Sequence, residues 1–291
     1  MTGGTGFTGR RVVRALLGRG CAVTLLVRPG AARRDLPPGV TTVWGDMSDA
    51  AALARLVQGA DAFVHVASLS FGHADTVVGA VEAAGIRRSV FFSSTALFTR
   101  LPAASKAVRL AAEDRVRSLR TGFTILRPTM IYGDAGDRNL SRLVRFVARS
   151  PVVPLPGGGH ALVQPVHVDD LGRAAVEALV CEAAAGREYN LPGAEAIPLR
   201  DLVAHVGALL GRRPLLLPLP LHPMASIAGL WHRLGLPPRV TAEQVLRLAE
   251  DKAFAYDDAR RDWGYAPRGI LEGLTDEVQR LRRAGWIVTR E

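Results

Sequence analysis

Eight residues near the start of the chain, "TGGTGFTG" from Thr2 to Gly9, hold four glycines at spacings that suit a phosphate. They fit G-x-G-x-x-G at Gly4, Gly6 and Gly9, and also T-G-x-x-G-x-x-G at Gly3, Gly6 and Gly9. Glycine serves three ends there: a tight turn takes positive φ, the backbone must approach a diphosphate closely, and the next helix must pack near the sheet. The helix start then offers unpaired N–H groups to the anion. An amphipathic stretch, "TGRRVVRALLGRG", and an apolar run, "CAVTLLVR", follow in the order that a dinucleotide-binding unit requires. Arg28 closes that run, where an acidic residue would accept hydrogen bonds from the adenosine ribose. A guanidinium favours a 2′-phosphate instead, and Arg33 and Arg34 follow shortly. The expected cofactor is therefore NADP, with NAD as second choice.

Such a loop needs a scaffold, and the sequence alternates apolar runs with amphipathic stretches. "DAFVHVAS" (Asp61 to Ser68), "SVFFSST" (Ser89 to Thr95) and "GFTILRP" (Gly122 to Pro128) read as buried strands. Helices are predicted before and between them, the one that precedes Asp61 with Asp49 as N-cap. The fold class is α/β: a Rossmann-type doubly wound parallel sheet with a smaller, mostly helical C-terminal lobe. The expected division is a dinucleotide-binding domain over residues 1–155, later sheet contributions from about 160–192, and the lobe over 193–291. In this order the first strand is central and precedes the glycine loop, yet Met1 leaves no room for it. That strand is expected to be missing, with the natural start roughly five to eight residues upstream.

The wider glycine spacing resembles the short-chain dehydrogenase/reductase superfamily, in particular its extended and atypical members, the NAD-dependent epimerase/dehydratase family. "WGDMSD", "HVAS", "LRPTMIYG", "PVHVDDLGRA" and "DDARRDWGYAPRGILEGL" extend the likeness over nearly the whole chain. The stretch from "RPTMIYG" through "PLPGGG" to "QPVHVDD" is similar to members related to a complex I accessory subunit. The resemblance implies cofactor contacts from Gly3, Thr5, Gly6, Phe7 and Thr8 in the loop. It implies others from Asp46 and Met47 at the adenine, and from Ala67, Lys106 and Pro128.

In this superfamily a Tyr-x-x-x-Lys pair, with a nearby Ser or Thr, does the acid/base work. In "SSTALFTRLPAASKAVRLAAE" Lys106 matches the lysine and Thr95 the hydroxyl, with Ser93 and Ser94 beside it; Pro102 stands where the tyrosine should be. Proline has no ionisable group, so three readings stay open. Lys106, its pKa lowered by a cationic nicotinamide, handles the proton with Thr95. Another group supplies it, with Tyr132, Ser105 and His167 as candidates. Or the chain binds the dinucleotide without turnover, as a redox sensor or assembly subunit. Sugar-nucleotide enzymes of the family carry a diphosphate-clamping arginine where this chain has Val163, for which Arg138, Arg142 or Arg145 could substitute. The expected substrate is a small carbonyl or alcohol compound, with a sugar nucleotide less favoured.

Composition narrows the rest. The net charge is +10 over 291 residues, but the basic residues are scattered arginines, with Lys106 and Lys252 the only lysines. Without a basic block or interleaved aromatics, no nucleic-acid partner is expected. Cys21 and Cys181 make no metal-ligand spacing, so no metal is expected. The Pro/Leu segment after residue 213 carries too many prolines for a spanning helix, and it is expected to bury the join between lobe and sheet. The expected compartment is the cytoplasm.

Overall fold

The computed structural model describes residues 1–31, 36–137, 139–235 and 241–287. The first half alternates: α1 (Phe7–Gly18), β1 (Val23–Val27), β2 (Val40–Trp44), α2 (Ala50–Val57), β3 (Ala62–His65), α3 (Ala74–Ala83), β4 (Arg88–Phe92), α4 (Ala104–Arg117) and β5 (Gly122–Pro128). Then come β6 (Ile131–Tyr132), α5 (Leu140–Arg149), β7 (Val152–Pro156), β8 (Leu162–Val163), β9 (Val166–His167), α6 (Val168–Val180) and β10 (Arg187–Leu191). The chain continues through β11 (Ile197–Pro198), α7 (Leu199–Leu209), β12 (Leu215–Leu219), α8 (Leu221–Arg233), α9 (Ala242–Arg247), α10 (Asp257–Trp263) and α11 (Ile270–Arg283).

β1 pairs with β2, and β3, β4, β5 and β10 pair in that order, all in parallel. Met1 and Thr2 join the two groups. The Leu26 N–H donates to the Met1 carbonyl at 3.0 Å; on the other side the Thr2 N–H donates to Val64 at 3.0 Å and the Val66 N–H to Thr2 at 3.1 Å. Thr2 Oγ1 and His65 Nδ1, both buried, are 2.7 Å apart. Two residues thus hold the central place where the sequence reading expects a whole strand. Winding reverses there, with β1 and β2 on one side and β3, β4, β5 and β10 on the other. A crevice at such a reversal, beyond the carboxyl ends of the strands, is where α/β sheets bind ligands.

Side chains alternate across the sheet, as strands require. Leu25, Val27, Val64, Val90, Phe92 and Leu126 face α1 and α6, while Leu26, Phe63, Phe91 and Ile125 face α2, α3 and α4. A third core gathers α5, β7, α7 and α11, with Leu140, Val144, Leu202, Val206, Leu274 and Val278 inside it. Residues 256–265 return to the first core through Ala259 and Tyr265.

The Pro/Leu segment departs from its expectation. It forms β12 and α8, and most of its large apolar side chains face outward: Leu215, Ile227, Leu230 and Leu234 are each more than 60% exposed, and Ala225 alone of α8 is buried. Pro218 lies within β12, Pro220 caps the 13-residue α8 and Pro223 falls in its first turn, and the segment turns these apolar side chains outward. Among the described residues no helix is long and apolar enough to cross a membrane.

Candidate active site

The glycine loop lies at the strand reversal. Gly3 takes φ = 72°, and a Cβ there would stand 2.5 Å from the Ala67 nitrogen. A Cβ on Gly9 would stand 1.9 Å from the Gly3 carbonyl oxygen, so α1 lies directly against the loop. Gly6 caps α1 without a side-chain acceptor, leaving the first-turn N–H groups of Phe7 and Thr8 facing outward from the helix start. Thr5 is fixed by its carbonyl, which accepts from Arg10 Nε at 2.9 Å. This cradle, closed to side chains but open to a diphosphate, fits a dinucleotide.

The remaining residues of the expected cofactor site stand at neighbouring strand ends. Arg28, exposed, ends β1; Asp46 follows β2 and accepts from the Ser48 N–H at 3.1 Å and its hydroxyl at 3.0 Å. Those bonds hold the Asp46 carboxyl below its usual pKa, with smaller help from the nearby charges of His73 and Arg28. Met47 is half-buried against the α2 and α3 core, and Ala67 lies against Gly3. Arg33, Arg34 and Arg138 lie outside the described residues.

Across the crevice, β4 runs into a turn at Thr95–Phe98. The buried Thr95 hydroxyl donates to the Pro128 carbonyl at the end of β5, at 3.3 Å. Ser93 Oγ, just after β4, is buried with no hydrogen-bond partner among the described residues. Lys106 lies in the first turn of α4, and its ammonium donates to the Thr99 carbonyl at 2.7 Å, tying the turn to the helix. α4 begins at Ala104, so Pro102 stands outside it and forms no helical i, i+4 pair with Lys106.

A strap from the lobe covers this turn. The Glu250 carboxylate accepts from the Thr99 hydroxyl at 2.6 Å and the Arg100 N–H at 2.8 Å, bonds that outweigh burial and lower its pKa. Arg247 donates to the Ala96 carbonyl at 3.3 Å, and the Phe98 and Phe254 rings lie 5.6 Å apart. Beneath the turn, Arg127 of β5 donates to Glu113 of α4 at 2.9 and 2.5 Å, and also to Glu188 of β10. Sequence reasoning missed the strap and this buried ion pair, because both depend on segments far apart in the chain.

Tyr132 is not brought together with Thr95 and Lys106. It is buried in the third core, edge-on to the His167 ring at 5.2 Å, and its hydroxyl fills the space that Gly273 leaves by lacking a side chain. Burial drives its pKa well upward, which leaves the phenol protonated and enclosed. His167 caps α6, its Nδ1 accepting from the Asp169 N–H at 3.2 Å. Burial, then the charge of Arg268, lowers its pKa to about 4, so the ring is neutral near pH 7. Val163 is buried in the lobe core, and the Arg145 guanidinium lies over the Trp286 ring at 4.4 Å.

A phosphate cradle at the strand reversal and a hydroxyl-bearing turn across the crevice define a dinucleotide-binding sheet, and comparison with known proteins agrees. The NAD(P)H-binding family matches residues 3–148, half of the chain. The chain belongs to the NAD(P)H-binding short-chain dehydrogenase/reductase superfamily. Among the members of this superfamily, it is 30% identical to the ceramide reductase of Caulobacter vibrioides, over 99% of this chain and 95% of that one. It is 31% identical to the 2-alkyl-3-oxoalkanoate reductase of Stenotrophomonas maltophilia, over 94% and 96%. The crystal structure of gox2253 superposes with a TM-score of 0.80 at 26% identity, covering 99% of this chain and 98% of that one. The matching family model is NAD(P)H-binding, so the cofactor class is NAD(P).

Proposed function

We propose that the protein is an NADPH-dependent reductase that interconverts a carbonyl and an alcohol on a small molecule. The observation that carries this reading is that the glycine cradle, beside β3, and the Thr95 turn, after the neighbouring β4, stand at the same carboxyl edge of the parallel sheet. Two full-length relatives named as reductases, at 30% and 31% identity, support it. The bound nicotinamide supplies the hydride. The chain's own residues hold the oxygen: Thr95 rotates from the Pro128 carbonyl to donate to the substrate carbonyl, with the free Ser93 hydroxyl beside it. Lys106, fixed by Thr99, keeps two further N–H donors for a ribose hydroxyl and for the proton the product oxygen takes up. Tyr132 stays outside the chemistry.

Thr95→Val is expected to lower kcat about tenfold, the worth of one lost hydrogen bond to a developing charge. Tyr132→Phe is expected to leave kcat within about twofold, since its hydroxyl touches no reacting atom. Steady-state kinetics on both variants checks this, and the opposite pattern would transfer the acid role to Tyr132.

For the cofactor, Arg28 at the end of β1 favours NADPH over NADH. Arg28→Asp is expected to weaken NADPH binding by about tenfold or more while changing NADH binding little. Fluorescence titration with each nucleotide measures it, and equal losses for the two would remove Arg28 from the discrimination.

A further inference from the structure

Large apolar side chains that reach solvent are scattered over the described surface, except between Leu215 and Leu234. Of sixteen such residues, six fall in those twenty positions: Leu215, Leu217, Ile227, Leu230, Trp231 and Leu234. Isolated exposed leucines are ordinary, whereas a group of them marks a surface that meets something apolar. The spacing makes the group a face. Ile227, Leu230, Trp231 and Leu234 stand at i, i+3, i+4 and i+7, on one side of α8 and its C-cap. The opposite side is the packed one: Ala225 is buried, and a Cβ on Gly229 would lie 3.5 Å from the Ala242 Cβ of α9. α8 therefore turns its apolar stripe away from the protein, the reverse of an ordinary surface helix. Exposure alternates in β12, with Leu215 and Leu217 outward and Leu216 half-buried.

Charge says what the stripe meets. The chain carries 27 Asp and Glu residues, yet none falls between Asp201 and Glu243. That acid-free segment holds Arg212 and Arg213 just before β12 and Arg233 at the end of α8, with Arg213 and Arg233 exposed. Arg233 follows Leu230 by three residues and so borders the stripe. A second copy of the chain would set this cationic segment against itself. A bilayer with anionic headgroups satisfies both halves: acyl chains take the apolar stripe, and lipid phosphates take the guanidiniums. Tryptophan suits the boundary between them, because its ring is apolar and its N–H polar. At 13 residues α8 is too short to span, so it would lie along the surface.

We propose that α8, with the preceding β12, is a surface-lying anchor that docks the protein on an anionic lipid bilayer. The anchor is joined to the candidate active site through α9, which packs against α8 and whose Arg247 donates to the Ala96 carbonyl in the Thr95 turn. Nothing in the proposal depends on the reductase reading.

Vesicle flotation of the full chain tests it, with phosphatidylcholine alone and with about 30% phosphatidylglycerol added. The wild type is expected to partition at least about tenfold more strongly onto the anionic vesicles, and high salt should reduce that advantage. Leu230→Gln combined with Leu234→Gln should lower binding to the anionic vesicles at least about tenfold. Arg213→Gln combined with Arg233→Gln should lower it by about tenfold or more. All four side chains are exposed, so the thermal melt and NADPH titration of both double variants should match the wild type. The salt dependence of wild-type binding is a readout that needs no variant. Absence of wild-type binding to anionic vesicles would overturn the proposal, as would binding that both double variants retain in full. Equal partition onto neutral and anionic vesicles would overturn the anionic surface as the occupant. Sedimentation velocity covers the competing occupant. A concentration-dependent dimer that Leu230→Gln with Leu234→Gln dissolves, without vesicle binding, would assign the face to a second copy and overturn the membrane anchor.

Discussion

Gly9→Ala is expected to reduce NADPH affinity by at least about a hundredfold while leaving a folded protein. The added Cβ would lie 1.9 Å from the Gly3 carbonyl oxygen, 2.7 Å from its carbon and 2.8 Å from the Gly4 Cα, all backbone atoms that cannot swing aside. Gly3 is itself pinned by a positive φ and by Ala67, so the loop must lift away from α1. Overpacking of this kind costs about 1–3 kcal/mol. Its larger effect falls on the ligand, because the cradle and the helix start no longer converge on one diphosphate. Gly18→Ala, at the other end of α1, is the control: nothing lies within 4 Å of its added methyl, so unchanged affinity and equal or slightly greater stability are expected. NADPH fluorescence titration with a parallel thermal melt separates the two effects. Wild-type affinity in Gly9→Ala would mean that the loop does not hold the cofactor.

Arg127→Met is the second large effect, this time on stability. Glu113 has no exposed surface, and Arg127 gives it two hydrogen bonds from the adjacent strand. Removing Arg127 leaves Arg117, at 3.0 Å, as its cation, and that side chain is shared with Asp114 and Glu188. Breaking a buried pair on one side costs about 3–5 kcal/mol, because the stranded charge stays desolvated. The free energy of unfolding in urea should fall by about that much. Arg127→Met combined with Glu113→Leu should recover part of the loss, since no charge is then left behind. A loss below about 1 kcal/mol in the single variant would show that Arg117 suffices as the partner of Glu113. The pair also sets the height of α4 against β5, next to Pro128 and hence Thr95, so kcat should fall along with stability.

The cofactor half of the site was legible because its demands fall on the backbone over nine consecutive residues. Gly3, Gly6 and Gly9 are spaced by the turn itself, and the strand and helix that follow are written beside them. The alternation of Leu25 and Leu26, or of Phe63 and Val64, gave the two-faced sheet for the same local reason. The cover over the Thr95 turn was not legible, since its parts meet only in the folded chain: Ala96 and Thr99 from the turn, Arg247 and Glu250 from a strap 151 residues later. Motif matching also singled out Lys106 through a Tyr-x-x-x-Lys template that presumes a helix through Pro102, whereas the helix starts only at Ala104. Tyr132 reads as a candidate proton donor in its strand-end turn; what the local sequence does not show is that the missing side chain of Gly273, far along the chain, seats it in the lobe core. In the Pro/Leu segment apolar composition suggested burial, but β12 and α8 carry outward-facing leucines there.

The central claim, that this crevice transfers hydride to a carbonyl, is tested most directly by a single-turnover experiment. Enzyme loaded with NADPH carrying deuterium at nicotinamide carbon 4 is mixed with a set of 3-oxo acids and their esters, and the products are examined by mass spectrometry. The expected result is loss of the reduced-nicotinamide signal matched one for one by alcohol that carries deuterium on the former carbonyl carbon, with both slowed in Thr95→Val. Tight NADPH binding with no deuterated alcohol from any carbonyl compound would contradict it, and would leave a dinucleotide-binding protein without turnover.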